Sequence, residues 1–170
     1  MAINLLPIGR VERWILEEIS KCIKEKFNLD SKILEPMELP KDAFDELRKQ
    51  YNSTLLIHIL SQKFKSRTLA ITSADLYAEN LNFIFGQAQL NGKIAIVSIA
   101  RLDPKFYGEG ENNELLRKRM RKEIVHELGH IFGLEHCKNK NCVMSFSSSV
   151  FEVDQKPEDF CEECKKKLKI

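Results

Sequence analysis

The segment His126-Glu127-Leu128-Gly129-His130-Ile131-Phe132-Gly133-Leu134-Glu135-His136 constrains this chain more than any other. On a helix, residues four apart lie one turn above each other. His126 and His130 therefore aim their imidazoles at one point, with Glu127 beside them on the same turn. Gly133 is where such a helix can end in a left-handed residue, swinging the chain back so that His136 reaches the same point. Three converging imidazoles and a carboxylate suit metal-assisted hydrolysis, because three protein ligands leave one position of a tetrahedral zinc open for water. Zinc lowers the pKa of that water from ~15.7 towards ~7, where a glutamate can take its proton as general base. His126, His130 and His136 are thus the candidate ligands of a catalytic zinc, and Glu127 the candidate base. The competing reading is an amphipathic core helix that happens to carry histidines. Background composition gives His-Glu-x-x-His by accident in roughly one chain per few hundred, and the further Gly and His cut that about a thousandfold. Three of the chain's four histidines fall within these eleven residues, which favours the metal.

Cysteine usage points to a second site. Cys137 follows His136 directly, then come Cys142 and the Cys161-Glu162-Glu163-Cys164 pair, and only Cys22 is distant. Two short-range pairs match a tetrahedral four-cysteine zinc site, which is closed by protein ligands and therefore structural. The stretch around it, about 35 residues, carries few large apolar groups. It is too small to order itself by burial, whereas structural zinc contributes on the order of 10 kcal/mol in such peptides. A redox Cys-x-x-Cys pair and unligated buried thiols are the alternatives. The expectation is two zinc ions per chain, one catalytic and one structural, close together because Cys137 abuts His136. Five cysteines, an odd count without a secretion signal, argue against a disulfide framework and for the cytoplasm.

The remaining chain reads as one ordinary domain. Its 170 residues can bury a real core, and 43% hydrophobic with 31% charged residues is globular composition. A net charge of +2 attracts neither nucleic acid nor membrane, and no apolar run reaches the ~18 residues of a spanning helix. Strands are expected at Ala2–Ile8, Lys32–Glu35 and Thr68–Thr72, and a helix at Val11–Phe27. Asp42–Lys65 reads as mostly helical, with a candidate break at Tyr51–Ser53. Phe83–Leu90 and Lys93–Ala100 flank Asn91-Gly92, a dipeptide that favours a tight hairpin turn, so these strands should pair antiparallel. A long helix is expected from about Glu114 to Phe132. Its apolar stripe is Leu116, Met120, Ile124, Leu128 and Ile131, and Arg117–Lys122 supplies charge to its outer face. Pro157 should open a last helix carrying Cys161 and Cys164. Residues 1–133 would form an upper lobe with the sheet and the histidine helix. Residues 134–170 would form a lower lobe with the third histidine and the cysteines.

In these motifs the chain resembles the metzincin clan of zinc peptidases, and more narrowly the archaemetzincins. The metzincin pattern, HExxHxxGxxH followed by a Met-turn, is matched by the histidine segment and Met144. Archaemetzincins are similar further in having cysteine straight after the third histidine, then Cys-x-Met, then a Cys-x-x-Cys pair. Cys137, Cys142-Val143-Met144 and Cys161/Cys164 carry that match, so the likeness spans Glu123–Cys164. The resemblance implies an α+β, zincin/metzincin-like fold: a mixed twisted sheet with an antiparallel edge strand, an active-site helix and a small zinc-stabilised C-terminal lobe. It implies peptide-bond hydrolysis, and a methionine lying beneath the histidines as an apolar floor without ligating the metal. Phe146 stands where some relatives place a metal-binding tyrosine, so no fifth ligand is assumed.

A peptide or protein substrate follows, with no nucleic acid, no membrane and a monomeric enzyme expected. Lys93–Ala100 is the more continuous apolar run, and Phe83–Leu90 is broken by Gly86, Gln87 and Gln89, which suits an exposed edge. Such an edge can take an extended peptide as an added strand, and the resemblance places a strand of this order along the cleft. Phe83, Phe85 and Gln87 are therefore candidate substrate-binding residues. The alternative is an ordinary sheet edge far from the metal. The rival function is a non-catalytic zinc module that binds a partner or nucleic acid. Glu127 speaks against it, because binding never needs the base. His58 reads as a half-buried structural histidine, Cys22 as a core thiol, and Arg117–Lys122 and Lys165–Lys169 as solvated helix surface.

Overall fold

A strand covered on both faces has no polar side, and the continuous apolar runs of this chain become the middle of its main sheet. The computed structural model describes every residue, Met1–Ile170. The first elements are strand β1 (Ala2–Ile8), helix α1 (Arg13–Phe27), strand β2 (Asp30–Ile33) and two short strands, β3 (Phe44–Asp45) and β4 (Gln50–Asn52). Helix α2 (Ser53–Lys63) and strands β5 (Thr68–Thr72), β6 (Leu76–Tyr77), β7 (Gly86–Ala88) and β8 (Ile94–Ser98) follow. The chain closes with helices α3 (Asn113–Ile131), α4 (Val150–Gln155) and α5 (Glu162–Lys167). The main sheet has five strands in the order β2-β1-β5-β8-β7, parallel throughout except for β7, which pairs antiparallel with β8 at one edge. β3, β4 and β6 form a small second sheet.

Alternation along the strands divides the core. Leu5, Leu69, Ile71, Ala95 and Val97 face α1 and α3, while Leu6, Ile8, Ala70, Ile94 and Ile96 face α2. The expected stripe of α3 is buried throughout. β7 is one of the two edge strands, with β8 on one side and no strand of this sheet on the other, and β2 is the opposite edge.

Several expectations needed correction. Beyond a single 3-10 turn at Lys41–Ala43, residues 44–52 are not helical, because the Asp45 side chain accepts hydrogen bonds from the Leu47 and Arg48 N–H groups and Lys49 is left-handed, which makes a turn into β4. The candidate break at Tyr51–Ser53 is where a helix starts, with Asn52 capping the Leu55 N–H. Arg117–Lys122 is not a solvated face. Arg119 and Arg121 are buried, because α3 is enclosed by the sheet, α1 and the C-terminal segment. Arg119 makes a forked pair to Asp154 at 2.8 and 2.9 Å and donates to the Leu102 carbonyl. Arg121 joins Glu18 and Glu25 of α1 to Glu158. Pro157 lies in irregular chain, and the last helix begins only after Cys161, its N-cap.

The two strands pair antiparallel as expected, Gly86 opposite Val97 and Ala88 opposite Ala95, but not through a two-residue turn. Gln89 N–H donates to the Ile94 carbonyl across a four-residue connection in which only Asn91 is left-handed. The Asn91 N–H donates instead to the His130 carbonyl at 3.0 Å. The hairpin tip is thereby tied to the end of α3.

Candidate active site and metal centres

α3 stops where its function requires. Gly133 has φ +99, the Leu134 N–H turns back to the Gly129 carbonyl, and the chain reverses beneath the helix end. His126 and His130 project from the last turns of α3, and His136 comes from the returning strand of chain. Their ring centroids lie 4.9, 5.0 and 5.3 Å apart. Two rings are held by their far nitrogens. His126 Nδ1 donates to the Val143 carbonyl at 2.8 Å and His130 Nδ1 to the Leu134 carbonyl at 2.6 Å. A carbonyl can only accept, so each Nδ1 carries the proton and each Nε2 is left as an acceptor.

Burial, then the Lys156 charge and the neighbouring imidazoles, push the His126 pKa well below its ordinary value. Burial also lowers His130 and His136. The rings are therefore neutral, the form that binds metal. Glu127 is buried beside them, and its Oε2 has no hydrogen-bond partner. Burial first, and then the Glu123 carboxylate, drive its pKa well above the usual range, against the pull of Lys156. Three neutral imidazoles with donor atoms within 4.8 Å of one another, and an orphaned carboxylate oxygen, form a donor set that fits a zinc ion.

The four cysteine sulfurs, Cys137, Cys142, Cys161 and Cys164, also lie within 4.8 Å of one another. Backbone N–H groups of Met144 and Cys161 point at the Cys142 sulfur, at 3.4 and 3.3 Å. The Cys161 thiol is brought down to about 7, chiefly by a backbone hydrogen bond from Cys164. Convergent sulfurs that accept N–H bonds suit a thiolate-bound metal.

A cavity of about 930 Å³ opens over the histidines. It is lined by Glu127 and the three imidazoles, by the Phe83–Ala88 segment and by Phe146–Ser148. Phe83, Phe85 and Gln87 thus all line the cavity that holds the metal ligands. Phe83 is packed between the Phe85 ring, 5.1 Å away, and the Arg101 guanidinium, 4.3 Å away. The Gln87 side chain is already engaged by the Ser53 and Thr54 hydroxyls at the start of α2. Met144 is fully buried. His58 is exposed on α2, not half-buried, and lies away from the cavity, while Cys22 is in the core.

The structure also brings in residues that sequence reasoning missed. A Cβ at Gly86 would sit 2.9 Å from Glu127 Cγ, and one at Gly129 would overlap the Met144 sulfur. A glycine inside a strand or helix is the one available signal for such close approach. Glu123 lines the cavity one turn before Glu127 and pairs at 3.2 Å with the buried Lys156, which also donates to the Ser145 carbonyl. The i, i+4 spacing could have found Glu123. Lys156 has no local signal at all.

A helix bearing His-Glu-x-x-His, a third histidine beyond a glycine turn, a buried methionine packed against that helix and a mixed sheet define a zinc metallopeptidase of metzincin type. Comparison with known proteins narrows this. The model of peptidase family M54 matches residues 3–170. The archaemetzincin of Methanocaldococcus jannaschii is 45% identical over 168 residues, 99% of this chain and 93% of that protein. The crystal structure of the archaemetzincin of Archaeoglobus fulgidus, complexed with malonate, superposes with TM-score 0.88 at 38% identity, covering 99% of this chain and 100% of that one. That of Methanopyrus kandleri gives 0.84 at 41%, covering 98% and 92%. The chain belongs to the archaemetzincins, peptidase family M54.

Proposed function

We propose that this zinc-dependent peptidase cleaves its substrate at the histidine centre with Glu127 as general base, and that the chain holds two zinc ions. His126, His130 and His136 would hold the catalytic ion, and Cys137, Cys142, Cys161 and Cys164 the structural one. When bound, the catalytic zinc supplies a Lewis acid that acidifies water and polarises the scissile carbonyl. Glu127 takes the proton of the attacking water and returns it to the leaving amine. The observation that carries this reading is the Glu127 Oε2 atom, buried without a partner at the wall of the cavity where the imidazoles converge. Met144 serves as the apolar floor, and Gly133 sets the turn that brings in His136. The whole chain works as one domain, its lobes meeting at Gly133 and Leu134. Five thiols with no disulfide support a reducing, cytoplasmic setting. No helix is long and apolar enough to cross a membrane.

Substrate main chain is held by the edge of β7. The Phe85 carbonyl and the Gln89 N–H are spent on β8, so in an antiparallel ladder the intervening Gly86 and Ala88 turn their backbone groups outward. The Ile84 N–H is occupied by the Leu76 carbonyl. Ala88→Pro removes one outward donor, and kcat/KM should fall roughly 3- to 10-fold, the scale of one hydrogen bond, with zinc content unchanged. An unchanged kcat/KM would remove β7 from substrate binding. The peptidase reading is tested by digesting a peptide library with the zinc-loaded protein. Cleavage should vanish on chelation and return with zinc, and an undigested library would overturn it.

A further inference from the structure

Two buried side-chain polar atoms lack any hydrogen-bond partner, Glu127 Oε2 and Ser147 Oγ, and both residues line the same cavity. The base role of Glu127 explains the first. Nothing in the hydrolysis explains the second, although buried hydroxyls are nearly always paired. The surrounding residues show that the segment is otherwise well satisfied. The Ser148 N–H and hydroxyl both bond Glu152, and Ser149 caps α4. Lys156 ties the Glu123 carboxylate to the Ser145 carbonyl, two residues before Ser147, and Glu123 and Ser147 both line the cavity. Lys156 is the one donor to Glu123 and occupies its Oε2.

We propose that Ser147 and Glu123 form a recess that selects a carboxamide side chain, Gln or Asn, at a substrate residue flanking the scissile bond. The proposal rests on the peptidase reading given above. A carboxamide satisfies both groups at once: its C=O accepts from the Ser147 hydroxyl and its NH₂ donates to the Glu123 carboxylate. A substrate cation meets Lys156 already seated on that carboxylate, and a substrate anion meets Glu123 and Glu127. An aliphatic side chain leaves the hydroxyl unpaired, and sites built to hydrogen-bond a substrate group reject analogues lacking it.

The test uses peptides that differ only in Gln, Asn, Leu, Lys or Glu at each of the two positions flanking the cleaved bond. Wild-type protein should prefer Gln over Leu at one position by about tenfold or more in kcat/KM. Ser147→Ala should collapse that ratio to within about threefold. Its Tm should not fall, because the lost hydroxyl has no partner to miss. Calorimetry of the same peptides on zinc-loaded Glu127→Ala protein reads the preference without turnover. Equal binding of the Gln and Leu peptides, or the same kcat/KM ratio in wild type and Ser147→Ala, overturns the recess. If wild type cleaves nothing while Glu127→Ala protein still binds Gln over Leu, the peptidase reading fails and the recess stands.

Discussion

A Cβ at Gly86 would lie 2.7 Å from the Ile96 carbonyl oxygen and 2.9 Å from Glu127 Cγ, so the space of the Glu127 side chain is kept by a missing side chain on β7. Gly86→Ala must push β7 outward or displace Glu127. Overpacking of this kind costs roughly 1–3 kcal/mol, and a displacement near 1 Å can cost ~100-fold in rate. A fall of at least about tenfold in kcat/KM, with zinc content retained, is expected. Kinetics and melting of this variant check it, and wild-type values for both would show that the contact is harmless. Met144 presents the complementary case. Its sulfur fills the space left by Gly129, so Gly129→Ala would collide with it. Met144→Leu nearly conserves volume and should cost under ~1.5 kcal/mol, with zinc still bound. Loss of metal in that variant would mean that Met144 is a ligand.

Helix α3 carries the catalytic histidines, and buried charge holds it in place. Arg121 links it to Glu18 and Glu25 of α1 and to Glu158 before α5. Burial would raise the Glu158 pKa, but hydrogen bonds from Arg121 and Lys26 outweigh it and hold the carboxyl below its ordinary value of 4.5. A depressed folded pKa means that the stabilisation is full above the unfolded value and is lost as pH falls through the lower folded one. Glu158→Gln should therefore cost roughly 1–3 kcal/mol near neutral pH. The difference from wild type should shrink once the pH falls below about 4, and urea melts across pH 3–7 read it directly. A constant difference would remove Glu158 from the linkage. The sequence shows α3 and its histidines because they are a local pattern: i, i+4 spacing and a glycine stop. It does not show that Arg119 and Arg121 turn inward, because their partners are tens of residues away. α4 is signalled by Ser149-Val150-Phe151-Glu152, where Ser149 caps the Glu152 N–H, but its six residues are too few to show a helical stripe. The Glu123–Lys156 pair was legible at one end only. Asn91-Gly92 marks the place of the turn but not its geometry, because the Asn91 N–H answers to the His130 carbonyl rather than to the hairpin alone.

Across the whole molecule, an open histidine centre and a closed cysteine centre are joined by the His136–Cys137 peptide bond. An open site exchanges its metal faster than one closed by four thiolates, so chelators should remove one zinc first and peptidase activity with it. The second should leave later, exposing Cys137, Cys142, Cys161 and Cys164 to thiol reagents and loosening the chain around them. Hydrogen exchange and thiol titration during staged chelation follow both events. Native protein with one zinc and five freely titratable cysteines would remove the closed site. The most direct test of the hydrolytic centre is kcat/KM of Glu127→Ala against wild type at matched, fully loaded zinc. General-base catalysis is worth about 10²- to 10⁴-fold, so cleavage should fall by that factor while both zinc ions stay bound. Wild-type turnover by the fully loaded variant would contradict Glu127 as the base.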